Sequence, residues 1–187
     1  MHIVTGIYKH RKLIAPKGMV TRPTAERVRE AIFNICQFYV QNCEFLDLFA
    51  GSGAMGIEAL SRGAKSATFV DHNKESVRAI RQNLENLKAE NSAHVFNGNV
   101  LEFIERQAKR HKSYDIIYVD PPYDTNLGQE VLTLIDETSL LKTGGTLFIE
   151  GPKDKDFEQL PLNTLELVSS RRLGKAFLFQ FVKKEKN

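Results

Sequence analysis

This chain of 187 residues has few of the residues that build disulfide or metal sites. Its two cysteines, Cys36 and Cys43, fall in neither a C-x-x-C nor a zinc-ligand spacing, and Cys36 lies on an apolar helix face. Buried thiols are therefore expected, rather than metal ligands or nucleophiles. The five histidines form no metal-binding pair, so no metal is predicted.

Long hydrophobic segments are absent as well. No apolar run approaches the roughly twenty residues that span a bilayer, and the basic start of the chain lacks the apolar stretch of a signal peptide. The chain also has no internal repeat, long linker or low-complexity tract. We therefore expect a cytoplasmic, monomeric protein with one domain over residues 1–187, made of a basic hairpin and helix at 1–40 and a core at 41–187.

Positive charge is concentrated at the front of the chain. Residues 1–30 contain seven basic and two acidic side chains, a net charge of +5, whereas the remaining residues sum to −2. These charges lie on a predicted β-ribbon with strands at 3–8 and 12–15, and on a helix that opens at Arg22-Pro23-Thr24 and continues to Tyr39. Ordered cations of this kind can follow a phosphate backbone, although a solvated face is the alternative.

From residue 45 onward, apolar runs alternate with stretches of helical periodicity. The predicted strands are at 45–49, 66–70, 94–97, 114–119 and 146–150, and the predicted helices are at 54–62, 73–89, 99–110 and 126–140. This alternation predicts a Rossmann-like α/β fold, with a mostly parallel sheet and helices on both faces. Residues 165–170 and 175–182, joined around Gly174, predict an antiparallel hairpin at the end of the chain.

A glycine-rich turn follows the first of these strands. Gly51, Gly53 and Gly56 match the G-x-G-x-x-G pattern, and Asp71 lies about twenty residues further on, where that pattern expects a ribose-binding acid. Taken literally, the pattern predicts NAD. Asp47 argues against NAD, because a carboxylate four positions before the first glycine would repel a pyrophosphate and attract an ammonium group. S-adenosylmethionine is a nucleoside with a cationic amino-acid tail. It has an ammonium group for Asp47 and ribose hydroxyls for Asp71.

The tetrapeptide Asp120-Pro121-Pro122-Tyr123 follows the apolar strand at 114–119, where open α/β sheets place their chemistry. The two prolines remove N–H donors, which leaves the Asp120 carboxylate and the Pro121 carbonyl as acceptors beside an aromatic ring. Such a site suits a flat group with an exocyclic amine. The alternative is a strand that merely ends in a proline turn, with Asp120 as a cap.

Further motifs accompany these two. They are Arg22-Pro23-Thr24, Arg27-Val28-Arg29-Glu30, Phe33-Asn34 and Glu58-Ala59-Leu60-Ser61-Arg62. Together with the glycine turn and the Asp-Pro-Pro-Tyr box, they resemble the bacterial 16S ribosomal RNA guanine-N2 methyltransferase family, ribosomal small-subunit methyltransferase D. The resemblance covers essentially the whole chain, and the Arg-Pro-Thr helix start is its most particular part.

The resemblance implies a class I methyltransferase with a seven-stranded sheet, S-adenosylmethionine as donor, and a guanine of 16S rRNA in the small ribosomal subunit as acceptor. It places the donor beside Asp47, Phe49, Ala50, Gly51, Ser52, Gly53, Asp71, His72, Asn99 and Val100. It places catalysis at Asp120, Pro121, Pro122 and Tyr123. The expected RNA contacts are Lys9, His10, Arg11, Lys12, Arg22 and Arg27. Two residues depart from common patterns, since His10 replaces a hairpin glycine and Asn99 replaces an aspartate near the adenine.

The expected reaction is direct methyl transfer to the exocyclic nitrogen. Asp120 and the Pro121 carbonyl would accept the two hydrogens of the amine and aim its lone pair at the methyl group, while Tyr123 stacks on a base splayed out of its helix or loop. Three alternatives remain open: an adenine-N6 DNA methyltransferase, a protein-glutamine methyltransferase, and an RNA-binding assembly factor that keeps a donor pocket without turnover.

Overall fold

A computed structural model describes residues 1–16, 23–152, 157–174 and 176–185 of the chain. The helices are α1 (Pro23–Ile35), α2 (Ala54–Ser61), α3 (Lys74–Leu87), α4 (Val100–Lys109) and α5 (Leu127–Glu137). The strands are β1 (Glu44–Leu48), β2 (Ser66–Asp71), β3 (Ala93–Asn97), β4 (Tyr114–Val119), β5 (Leu141–Gly151), β6 (Leu165–Leu173) and β7 (Ala176–Lys183). None of the helices in these described segments is long and apolar enough to cross a membrane.

The strands form a seven-stranded sheet in the order β3-β2-β1-β4-β5-β7-β6. The first five strands of this order pair in parallel, whereas β7 runs antiparallel to both β5 and β6. The predicted mostly parallel sheet with an antiparallel C-terminal hairpin is confirmed. The chain leaves β1 toward β2 and β3 on one side and continues with β4 on the other, so a topological switch point lies between β1 and β4.

Two apolar layers cover the two faces of the sheet. Helices α1, α2 and α3 pack on the face that carries Phe45, Phe69 and Phe148, and the two buried cysteines belong to this layer. Helices α4 and α5 pack on the opposite face against Leu48 and Ile149. Because the central strands are buried on both faces, their sequences are mostly apolar, which explains why they could be predicted as short apolar runs.

Two predicted boundaries differ most from those in the structure. Helix α1 ends at Ile35 rather than Tyr39, because the N–H groups of Tyr39 and Val40 both donate to the carbonyl of Cys36 and turn the chain toward β1. Strand β5 begins at Leu141, so the glycine pair predicted to precede it lies within the strand. The pairing register between β4 and β5 shifts at this point, so that β5 accommodates the two glycines as extra residues. Gly144 has a φ of 77°, which suits glycine.

The N-terminal hairpin is shorter than predicted. An isolated bridge joins His2 and Lys12, but the two strands expected at 3–8 and 12–15 do not form. The reason is that α2 supplies competing acceptors: the N–H groups of Val4 and Thr5 donate to the Glu58 carboxylate. The first sixteen residues therefore pack along the α2–α3 face of the sheet rather than forming a free ribbon.

Candidate active site

The glycine turn connects the carboxyl end of β1 to α2 at the switch point. Gly53 precedes the helix in a left-handed conformation with φ of 76°, as glycine allows, and the N–H of Gly51 donates to Asp71 Oδ2 at 2.8 Å. Helix α2 packs close to the sheet because Gly56 has no side chain, since a Cβ there would lie 2.3 Å from the Phe69 ring. The turn thus presents backbone and the start of a helix to a ligand at this edge.

Asp47 is a buried acid directly behind this turn. Its Oδ2 accepts a hydrogen bond from the N–H of Gly56 at 3.0 Å, whereas its Oδ1 has no hydrogen-bond partner within the described segments. Burial raises the pKa of Asp47 well above its usual range, and the charges of Asp120 and Asp71 raise it further. A buried carboxylate oxygen without a partner fits a cationic ligand group, because a cation would supply both the charge and the missing donor.

Asp71 ends β2 beside the same turn. Its two oxygens accept from the N–H groups of Gly51 and Asn73, each at 2.8 Å, which fixes the carboxylate while leaving lone pairs for further donors. His72 follows with its Nδ1 at 3.8 Å from Asp71 Oδ1, and its side chain is exposed. Both residues lie at the predicted place.

A cavity of about 190 Å³ opens next to this edge, at the end of β3. It is lined by Val70, Phe96, Asn97, Gly98, Asn99, Glu102, Phe103 and Arg106. The Asn99 Oδ1 accepts from the N–H groups of Leu101 and Glu102 and caps α4, so this oxygen has a structural role in addition to the predicted one. Asn97 was not predicted, although its Nδ2 holds the carbonyls of Asp71 and His72 at 3.0 Å.

The Asp-Pro-Pro-Tyr box follows β4 on the other side of the switch point. The N–H of Asp120 donates to the carbonyl of Leu48 at 3.4 Å, which ties the box to the end of β1, and the Asp120 side chain is exposed. Thr125 closes the loop, since its hydroxyl donates to the carbonyl of Pro122 at 2.9 Å. The structure therefore brings the predicted catalytic and donor-side residues to adjacent strand ends.

Sequence reasoning missed a buried acid next to this box. Glu150 lies near the end of β5, one strand from Asp120, and its Oε1 accepts a hydrogen bond from the hydroxyl of Tyr118. Burial and the neighbouring Asp120 charge raise the pKa of Glu150 to about 8. Burial and the charge of Glu150 raise the pKa of Tyr118 as well. The pair depends on the β4–β5 register, which no local pattern in the sequence specifies.

The predicted RNA contacts lie elsewhere. Lys9, His10, Arg11 and Lys12 are exposed, and the turn that carries them is held at the far end of α2, where the N–H of Tyr8 donates to the Ser61 hydroxyl at 2.9 Å. Since α2 has eight residues, the helix separates this turn from the glycine turn by about 12 Å. His10 has a φ of 68°, a left-handed conformation that glycine adopts most readily.

The remaining predicted contacts are on or before α1. Arg27 is exposed on that helix, and Arg22 lies outside the described residues. Among the residues that the structure describes, no group of three His, Cys, Asp or Glu side chains could hold a metal ion.

A buried ionic cluster, also missed by the sequence, joins the N-terminal segment to α2. Glu58 is fully buried and accepts from Arg62 Nε at 2.9 Å as well as from two N-terminal amides. Arg29 lies with its Nε 3.6 Å from Glu58 and donates through Nη2 to the carbonyl of His2. Asn83 of α3 completes the attachment, because its side chain bonds both to Ile14 and to the carbonyl of Ser52 in the glycine turn.

Known proteins resemble this chain over most of its length. The family model described as Conserved hypothetical protein 95 matches residues 1–182. Ribosomal RNA small subunit methyltransferase D of Haemophilus influenzae is 36% identical over 83% of this chain and 80% of its own. The solved structure of the Escherichia coli protein yhhF is 30% identical, has a TM-score of 0.86 and covers 98% of both chains.

A more distant structure, SMU.776 solved in complex with SAH, is 15% identical, has a TM-score of 0.73 and covers 94% of this chain and 52% of its own. At this identity it shows a shared fold, which is the class I methyltransferase fold. The resemblance that the motifs indicated is confirmed, and the chain belongs to the family described as Conserved hypothetical protein 95, together with relatives named ribosomal RNA small subunit methyltransferase D.

Proposed function

We propose that this protein transfers the methyl group of S-adenosylmethionine to the exocyclic N2 amine of a guanine in 16S rRNA. The observation that carries the proposal is the arrangement at the switch point, where the Asp120 box lies one strand from the glycine turn and from Asp47. The Oδ1 of Asp47 has no hydrogen-bond partner among the described residues. The names of the relatives support rRNA as the acceptor.

The donor side of the edge fits S-adenosylmethionine. Asp47 would hold the ammonium group of the amino-acid tail, and the start of α2 would face its carboxylate. Asp71 keeps lone pairs for the ribose hydroxyls, and the cavity beside Asn99 would take the adenine. Bound in this way, the donor supplies an electrophilic methyl group on a sulfonium cation.

The acceptor side fits a flat base with an exocyclic amine. Asp120 is exposed at the strand end, where its carboxylate would accept one amine hydrogen, and the Pro121 carbonyl would accept the second. Holding both hydrogens would orient the nitrogen lone pair toward the donor side, and this orientation would supply much of the rate enhancement. Tyr123, half-buried on the same loop, would stack on the base.

Label transfer tests the proposal directly. Radiolabelled S-adenosylmethionine is offered to naked 16S rRNA, assembled small subunits, DNA and a protein lysate, with the Asp120→Ala variant as control. Label is expected in an rRNA-containing pool, and nucleoside mass analysis is expected to identify 2-methylguanosine. Label confined to DNA as N6-methyladenine, or to protein, would overturn the assignment.

A further inference from the structure

The antiparallel hairpin at the end of the sheet carries two exposed arginines, Arg171 and Arg172. Strand β6 runs parallel to β5, because both pair antiparallel with β7. The end of β6 therefore lies at the same edge of the sheet as the Asp120 box. The predicted basic turn around Lys9, by contrast, is held at the far end of α2.

The register of the strands shows which residues of β5 lie level with the two arginines, and so how far the arginines are from the candidate acceptor site. Arg171 lies opposite Leu178, which lies opposite Glu150, and Arg172 lies opposite Phe177, which lies opposite Gly151. Because β7 lies between β6 and β5, the backbone of each arginine is two strand spacings, about 10 Å, from β5. The side chains extend beyond the backbone. Glu150 and Gly151 both line the small cavity beside Pro121 and Tyr123.

The local contacts leave the positive charge of both arginines unneutralised within the described segments. Arg171 Nε donates to the Ser169 hydroxyl at 3.2 Å, and Arg172 Nε donates to the carbonyl of Gly174 at 3.0 Å. Both acceptors are neutral, and each uses one of the five N–H groups of a guanidinium. The contacts orient the arginines while most of their donors face solvent.

Because the surrounding edge of the sheet carries negative charge, a polyanion needs these cations to bind there. The exposed carboxylate of Asp120 lies at this edge, with Asp71 nearby at the end of β2, so a nucleic acid that brings a base to Asp120 approaches negative charge. Phosphates avoid such a surface unless cations are near the base-binding position. Among the described residues, the β6–β7 hairpin provides two such cations beside the acceptor side of the edge.

We infer that Arg171 and Arg172 bind backbone phosphates of the RNA strand that carries the target base, next to the Asp120 box. The inference rests on the proposed function, since it takes RNA as the acceptor and adds the surface that holds it. Planar guanidinium groups suit this task because they can bond two phosphate oxygens at once.

The test compares Arg171→Ala/Arg172→Ala with Lys109→Ala/Arg110→Ala, which removes two exposed cations from the end of α4 at the opposite edge. Binding of a 16S rRNA fragment is measured between 50 and 200 mM salt, and calorimetry with S-adenosylhomocysteine checks the donor site. Two lost phosphate contacts should flatten the log-affinity against log-salt slope by about 1.5, so the loss of affinity across this range shrinks roughly eight-fold. Donor affinity should not change.

The matched control should keep the wild-type slope, and Arg171→Lys/Arg172→Lys should retain most of it. A wild-type slope in the alanine variant would overturn the inference, even when the wild-type protein methylates rRNA. If the alanine variant loses salt-dependent RNA binding but the wild type does not methylate RNA, the inferred RNA-binding surface stands and the proposed function is wrong. Absence of RNA binding by the wild type would reject both.

Discussion

Asp120 and Glu150 lie on neighbouring strand ends but in different surroundings. The Asp120 side chain is exposed, whereas the Glu150 side chain is buried and accepts a hydrogen bond from Tyr118. Two carboxylates this close repel when both are ionised, so the buried one retains its proton more readily. At the scale of single residues, this asymmetry supports the catalytic role proposed for Asp120 and leaves Glu150 as its buried neighbour.

The first prediction concerns Asp120→Ala. Its proposed partner is the acceptor amine, so the substitution should lower kcat by about 10²–10³-fold, the usual effect of removing one group that stabilises a transition state. S-adenosylhomocysteine affinity, measured by calorimetry, should change little. A variant that methylates at the wild-type rate would contradict the role given to Asp120.

The second prediction concerns the pH dependence of stability. The folded protein holds the Glu150 proton up to about pH 8, whereas the unfolded chain loses it near pH 4.5. Between these values the unfolded state binds fewer protons, so the free energy of unfolding falls as pH rises, by at most about 1.4 kcal/mol per pH unit. Glutamine cannot ionise, so the free energy of unfolding of the Glu150→Gln variant should fall less steeply as pH rises.

Urea unfolding at pH 5, 6, 7 and 8 measures this difference. The buried Asp47, whose pKa is also raised, contributes a slope of the same sign in both proteins, so the comparison between them isolates Glu150. The variant should gain stability relative to the wild type as pH increases. Parallel curves would mean that Glu150 is ionised in the folded protein throughout this range.

At the scale of elements, the N-terminal segment and α2 form one unit. Gly6 packs directly on the end of α2, where a Cβ would lie 1.8 Å from the Ser61 carbonyl oxygen, and its φ of 87° is unfavourable for other residues. Glu58 binds the preceding two amides, so the segment is attached at two successive turns of the helix. This attachment connects the basic turn to the element that begins at the glycine turn.

The third prediction tests that attachment with Gly6→Ala. Both the backbone strain and the collision with α2 should destabilise the protein by at least about 1 kcal/mol, which thermal or urea unfolding will detect. Gly98→Ala is the matched control, because a Cβ at Gly98 meets nothing within 4 Å. Equal stability of the two variants would show that the segment does not depend on this contact.

The elements themselves could be predicted because their patterns are local. Buried parallel strands are apolar runs, and glycine and proline mark their ends, so the sheet and both loops at the switch point follow from the sequence. The long-range partners could not be predicted. Val4 meets Glu58 across 54 residues, and Tyr118 meets Glu150 across 32, and each contact depends on packing or register rather than on neighbouring residues.

At the scale of the whole molecule, two basic surfaces among the described residues are proposed to contact RNA. One is the basic turn of Lys9, Arg11 and Lys12 at the far end of α2, and the other is the β6–β7 hairpin beside the acceptor site. An RNA that reaches Asp120 can contact both only when it extends along the α2 side of the protein. The two surfaces are far enough apart that their effects on binding should add.

The fourth prediction is that Lys9→Ala/Arg11→Ala/Lys12→Ala weakens rRNA binding and flattens its salt dependence by about 0.7–0.9 per lost contact, with unchanged S-adenosylhomocysteine affinity. Arg11 donates to the carbonyl of Asn86, which positions its guanidinium without neutralising the charge. Combining this triple variant with the two hairpin substitutions should give the sum of the separate slope changes. An unchanged slope in the triple variant would leave the basic turn as a solvated face, and the RNA would then be held near Arg171 and Arg172 alone.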